Sequence, residues 1–202
     1  MQIELPPDAQ EKLLAYLDLL AHWNRAYNLT AVCDRHEMVP RHLLDSLAIL
    51  PYLHGATLAD LGSGAGLPGI PLAIARPDLA VTLVESNGKK ARFLREAVRT
   101  LPLPNVTVQQ CRVQDADGAF DTVTARAFAS LADMLAWGGH LMTQDGRWLA
   151  LKGRADPDEI AGVPDVFHLV AVHPLSVPGI GGDRCVIELA RSRSHANPKR
   201  PS

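Results

Sequence analysis

The residues best suited by type and spacing to do chemistry lie in Asp60-Leu61-Gly62-Ser63-Gly64-Ala65-Gly66, a D-x-G-x-G-x-G loop. Glycines let a backbone turn sharply and let a ligand approach it without Cβ atoms in the way. A dinucleotide loop of the GxGxxG kind needs glycine where this chain has Leu67. The spacing fits the S-adenosylmethionine (AdoMet) pattern instead. In that reading the helix after the loop offers unpaired N–H groups to the methionine carboxylate. Asp60 then meets the ammonium at the other end, directly or through water. A purely structural turn can have the same spelling, so the loop alone leaves both readings open. Glu85 tips the balance. It closes the next strand 23 residues beyond Gly62, near the separation at which a carboxylate receives ribose hydroxyls. Taken singly, Glu85 also reads as an ordinary strand-end charge.

Signatures of other methyl-transfer chemistries are missing. After the fourth strand there is no N/D-P-P-Y sequence, as used to hold a flipped adenine, but Arg126-Ala127-Phe128-Ala129-Ser130. No Pro-Cys dipeptide stands ready to attack a pyrimidine carbon, since Cys111 follows Gln110. The acceptor atom is therefore expected to be nucleophilic without covalent activation. Cys33, Cys111 and Cys185 are far apart, and no cysteine or histidine cluster has metal-ligand spacing, so neither a disulfide framework nor a metal site is expected.

The elements that must position this loop follow from periodicity. Leu13, Leu14, Leu17, Leu20, Ala21 and Trp23 mark an amphipathic helix over 8–27, with Asp8 as its cap. A second helix is predicted from about Arg35 to Ile49, ending before Pro51. From Thr57 strands and helices alternate: strands at 57–61, 80–84, 106–110, 122–125 and 148–151, helices at 68–75, 89–100 and 131–137. The stretches 166–172 and 185–189 have no helix between them and suggest an antiparallel pair at the sheet edge. The pattern predicts an α/β fold, a mainly parallel sheet covered on both faces, with residues 1–54 as a helical cap, 55–190 as the AdoMet-binding domain and 191–202 as a disordered tail. Ligands in such sheets bind at the carboxyl ends of the strands.

The bulk numbers restrict function less. The chain has 202 residues, 47% of them hydrophobic and 21% charged, an ordinary globular balance. No apolar run approaches a membrane span, and Met1 to Pro7 does not read as a signal peptide, so a cytoplasmic location is expected. A net charge of −2 counts mildly against a nucleic-acid partner, although a local basic patch matters more than the sum.

Beyond the loop, several segments are more particular. They are Trp23-Asn24-Arg25-Ala26-Tyr27-Asn28-Leu29-Thr30, Arg41-His42-Leu43-Leu44-Asp45-Ser46, 60–71, 89–95, Arg126-Ala127-Phe128-Ala129-Ser130-Leu131 and Leu151-Lys152-Gly153. In these, from about Tyr16 to Leu189, the chain resembles the bacterial ribosomal RNA small-subunit methyltransferase G family, also called glucose-inhibited division protein B. The resemblance implies a Rossmann-like class I methyltransferase fold and methyl transfer from AdoMet to N7 of one guanine in 16S rRNA, free or within the small ribosomal subunit. It places Gly62 and Leu67 in the cofactor pocket, Val113 and Gln114 near the adenine, and Arg126 beside the methyl donor. Together with Asp60, Gly64, Gly66 and Glu85 these form the expected cofactor site, with Arg126 also expected to hold the cofactor–base geometry in catalysis. Cys111 and Gln114 depart from the usual family residues, and Cys185 stands where some relatives carry His. Candidate RNA contacts are Arg41, His42, Lys89, Lys90, Arg92, Lys152 and Arg184, with Lys152 expected on phosphate. Lys89, Lys90 and Arg92 also fit a solvated helix face, and His42 a packing or capping role. A monomer is expected. A methyltransferase of the same fold acting on protein or a small molecule, and an AdoMet sensor without turnover, are the competing readings.

Overall fold

The computed structural model describes residues 4–126 and 129–192. Helix α1 (Ala9–Tyr27) buries Leu13, Tyr16, Leu17, Leu20 and Asn24 along one face and ends at Asn28, whose φ of 49° provides a left-handed cap. Asp8 occupies the N-cap position but makes no side-chain capping bond; its carboxylate pairs with Lys12 at 2.6 Å instead. The second predicted helix is broken into pieces: α2 (Arg35–Met38), a π-helical stretch (Val39–Leu44), α3 (Asp45–Leu47) and a 3₁₀ turn (Leu50–Tyr52). Pro40 stands at the start of the π-helical stretch, where it has no N–H for an ordinary α-helical ladder.

The main body then alternates β1 (Thr57–Leu61), α4 (Gly69–Ala75), β2 (Ala80–Val84), α5 (Gly88–Thr100), β3 (Val106–Gln109), β4 (Phe120–Arg126), α6 (Leu131–Gly138) and β5 (Met142–Lys152). After these come α7 (Pro157–Ala161), which the periodicity does not reveal, and β6 (Phe167–Pro174) and β7 (Cys185–Arg191). The strand order is β3-β2-β1-β4-β5-β7-β6. The first five strands are parallel, and β7 runs antiparallel to both its neighbours. The last two strands thus pair as expected, but β7 inserts between β5 and β6, which leaves β6 at the edge.

Two apolar layers flank the sheet. One joins α1 and the cap to α4 and α5 through Tyr16, Leu17, Leu20, Ile70, Phe93 and Leu94. The other joins α6 to the sheet through Leu131, Met134 and Trp148. Burial on both faces accounts for the near-continuous apolar spelling of β1 and β2. The last strand continues through Arg191, whose guanidinium donates to the carbonyls of Gly139 and Met142 at 2.5 and 3.2 Å. Residues 193–202, most of the predicted tail, lie outside the described residues, as do Ala127 and Phe128. Among the described residues no helix is long and apolar enough to cross a membrane, and no group of three or more ligating side chains could hold a metal ion.

Candidate functional site

The carboxyl ends of β1, β2 and β4 converge where the glycine loop leaves β1. Gly62, Gly64 and Gly66 all have positive φ, at 66°, 58° and 88°, a conformation that costs glycine little. At Gly66 the demand is also spatial, because a Cβ would collide with Ile70 and come within 3.0 Å of Leu94. The loop is fixed from both sides. Ser63 donates from its backbone to the Val84 carbonyl at 3.1 Å and from its hydroxyl to the Asp60 carbonyl at 2.7 Å. From the cap, the buried Tyr16 hydroxyl donates to the Ala65 carbonyl at 2.7 Å.

Glu85, 6% exposed, accepts from the Gly64 amide through Oε2 at 2.9 Å and from the Asn87 amide through Oε1 at 2.7 Å. A carboxylate has about four acceptor positions, so two stay open towards a cavity of about 400 Å³ lined by Gly62, Glu85, Cys111, Val113, Gln114 and Trp137. A second cavity, of about 320 Å³, is lined by Thr30, Gly62, Gly64, Leu67, Lys90 and Arg126. Gly62 and Lys90 line both. Between them the two chambers present the Glu85 carboxylate, the apolar Val113 and the Arg126 guanidinium.

A third cavity, of about 410 Å³, opens on the other side of Arg126, between the cap and the ends of β5 and β7. Arg41, His42, Asp45, Arg126, Lys152 and Arg184 supply its polar lining. Asp45 forms part of its wall. Its Oδ2 faces Arg126 Nη1 at 3.4 Å and its Oδ1 faces Arg184 Nε at 3.5 Å, with the Asp45 side chain 10% exposed. Arg126 also donates to the Arg41 carbonyl at 3.4 Å. Among the described residues, Arg126 alone lines both this cavity and a cofactor chamber.

Several expected roles shift. Asp60 is fully buried, lines none of these cavities, and accepts from the Gly69 amide at 3.0 Å. Burial pushes its carboxyl up to about 7, against the lowering effect of the Gly69 amide and Arg126. Its Oδ2 holds the start of α4 through Gly69, while its buried Oδ1 has no hydrogen-bond partner among the described residues. The start of α4 has no spare amides for a carboxylate. Gly69 serves Asp60, Ile70 donates to Gly66, Leu72 donates to Pro68, and Pro71 has no N–H. Gly66 contributes packing and lies outside the cavity walls.

Of the proposed RNA contacts, Arg41, His42, Lys152 and Arg184 gather around the third cavity. Lys90 turns into the cofactor chambers, while Lys89 and Arg92 are exposed on α5 and line none of the three cavities. Lys152 Nζ donates to Glu159 at 2.7 Å and to the Ala129 carbonyl at 3.0 Å, so its charge is already partnered. His42 is buried, its Nε2 lies 3.0 Å from the Thr30 hydroxyl, and burial lowers its pKa. Through Thr30 it ties two segments of the cap together, the structural role the sequence also allowed. Sequence reasoning missed Asp45, Tyr16, Trp137 and Glu159. Asp45 stood in the quoted Arg41-His42-x-x-Asp45-Ser46 segment without a role; the other three carried no local signal.

The comparisons with known proteins show the family and the fold. The model of the family rRNA small subunit methyltransferase G matches residues 9–187. The Ribosomal RNA small subunit methyltransferase G of Xanthomonas campestris pv. campestris (strain 8004) is 56% identical over 185 residues, covering 91% of this chain and 87% of that protein. The protein of the same name from Xylella fastidiosa (strain 9a5c) is 56% identical over 177 residues, covering 87% and 84%. Among solved structures, a SAM-dependent methyltransferase from Aquifex aeolicus superposes with a TM-score of 0.56 at 15% identity, covering 76% of this chain and 92% of that one. A ribosomal protein L11 methylase from Lactobacillus delbrueckii subsp. bulgaricus gives 0.55 at 19% identity, covering 74% and 77%. At those identities the structures speak for the fold alone. With the family model spanning residues 9–187, the chain belongs to the rRNA small subunit methyltransferase G family.

Proposed function

We propose that this protein transfers a methyl group from AdoMet to N7 of a guanine in 16S rRNA of the small ribosomal subunit, in the cytoplasm and as a monomer. The observation that carries this reading is the position of Arg126 between a cofactor chamber and a separate polar cavity. Family membership supplies the substrate class.

When bound, AdoMet supplies an electrophilic methyl group on a sulfonium, which the in-plane N7 lone pair takes as the carbon–sulfur bond breaks towards sulfur. N7 carries no proton, so the protein needs no general base, and the buried Asp60 is not required as one. Glu85 receives the ribose hydroxyls, Val113 and Gln114 flank the adenine, and Lys90 faces the carboxylate end. Arg126 aligns the two ligands, which is chiefly an orientation effect.

The test is transfer of labelled methyl from AdoMet to unmethylated small subunits, with naked 16S rRNA and bulk protein in parallel. Label on one guanine N7 is the expected result. Label on protein alone, or none with AdoMet bound, would overturn the reading.

A further inference from the structure

We infer that Asp45 selects guanine by accepting hydrogen bonds from N1–H and the N2 amino group of the target base in the third cavity. The inference rests on the guanine reading above and adds the residue that enforces it.

An ionised carboxylate only accepts hydrogen bonds, and its two oxygens match two donors side by side. Of the four RNA bases, guanine alone presents two adjacent donors on its Watson–Crick edge. Adenine and cytosine put a ring-nitrogen acceptor there, and uracil sets one donor between two carbonyls. Either arrangement turns lone pairs towards Asp45. A base drawn out of its RNA context is commonly read along this edge and held between apolar surfaces. The same cavity is lined by the apolar side chains of Val32, Leu151 and Leu175.

Asp45 is also held in place for this task. Arg126 and Arg184 approach one oxygen each, at 3.4 and 3.5 Å, leaving acceptor positions on both. The two guanidiniums come from β4 and from just before β7, so the carboxylate of the cap is fixed against the main body. A base bound by its N1/N2 edge keeps N7 on the far side of the bicycle, clear of Asp45. As N7 gains the methyl group the ring becomes cationic and N1–H becomes a stronger donor. The hydrogen bond to Asp45 therefore tightens on the way to product, which is the kind of contact that raises rate.

The test uses small subunits whose target guanine is replaced by inosine, which keeps N7, O6 and N1–H but lacks the N2 amine. Wild-type protein is expected to lose roughly 10- to 100-fold in single-turnover kcat/KM on inosine. Asp45→Asn is expected to be similarly slowed on guanine while binding AdoMet normally, with its guanine-to-inosine ratio compressed to about 3-fold or less. Equal wild-type rates on guanine and inosine would overturn the inference, as would an Asp45→Asn variant that keeps the full ratio. If Asp45→Asn loses AdoMet binding and so its fold, Asp45→Glu decides: the retained carboxylate should preserve the ratio, and a lost ratio contradicts the assignment. A wild-type protein that labels no guanine would instead defeat the function reading itself.

Discussion

The cofactor end and the base end of this site are built in different ways. The cofactor end is mostly backbone and near in sequence: Gly62 to Leu67 and the carboxylate at Glu85, joined by the bond from the Gly64 amide. The base end is mostly side chains and far apart in sequence. Asp45 meets Arg126 and Arg184 across the junction of cap and sheet. The first arrangement recurs wherever this fold binds its cofactor, because strand ends and glycines suffice. The second depends on the cap and on three separated charged residues, so it rests on long-range packing rather than on a local motif.

The largest expected effect comes from cutting the hinge between the ends. Arg126→Ala should lower single-turnover methyl transfer by roughly 100- to 1,000-fold. Unchanged AdoMet affinity together with an unchanged rate would remove Arg126 from the mechanism.

The next effect concerns the buried support of the cofactor end. Burial pushes the Asp60 carboxyl up to about 7, against an ordinary value of 3.8. The folded state therefore holds a proton that the unfolded chain has released, and stability from this group falls as pH rises from about 4 to about 7. His42 acts with the opposite sign, since its lowered pKa leaves the unfolded chain binding more protons, but it is common to both proteins compared. Asp60→Asn keeps an acceptor for the Gly69 amide without the titration. Its melting temperature relative to wild type should rise by roughly 5–10 °C between about pH 5 and pH 8. A constant difference would show that the carboxyl is not neutral in the folded protein.

A smaller effect is expected from the cap. Tyr16→Phe removes the hydrogen bond to Ala65 and should cost about 1 kcal/mol of loop stability, read as AdoMet binding weakened about 5-fold with little change in the rate at saturation. The smallest effect separates two neighbours on α5. Lys89→Ala should reduce the salt slope of RNA binding by about one and leave AdoMet affinity alone, whereas Lys90→Ala should do the reverse.

What the sequence made legible divides along the same line. Alternating apolar strands and helices, glycine spacing and Glu85 revealed the sheet and the cofactor end because those signals are local. The break in the second helix went unread, since the apolar pattern of 35–49 looks helical throughout and does not mark the π-helical stretch Val39–Leu44. Insertion of β7 between β5 and β6 also leaves no mark on periodicity. Lys152 looked like a free cation because Glu159, its partner, sits on the short helix α7. Asp45 stood without a role inside the predicted helix 35–49 until the fold set it between two arginines. Asp60 shows the converse: its motif marks the loop, but its full burial and its bond to the Gly69 amide leave no trace in the spacing.

The most direct test of a site in two halves measures AdoMet Kd and single-turnover methylation rate for Glu85→Ala and Arg184→Ala. Glu85→Ala is expected to weaken AdoMet binding by roughly 10- to 100-fold, while Arg184→Ala should leave that Kd unchanged and slow transfer to the small subunit. Equal loss of AdoMet affinity in both variants would contradict a site in two halves, because the base end would then be part of the cofactor site.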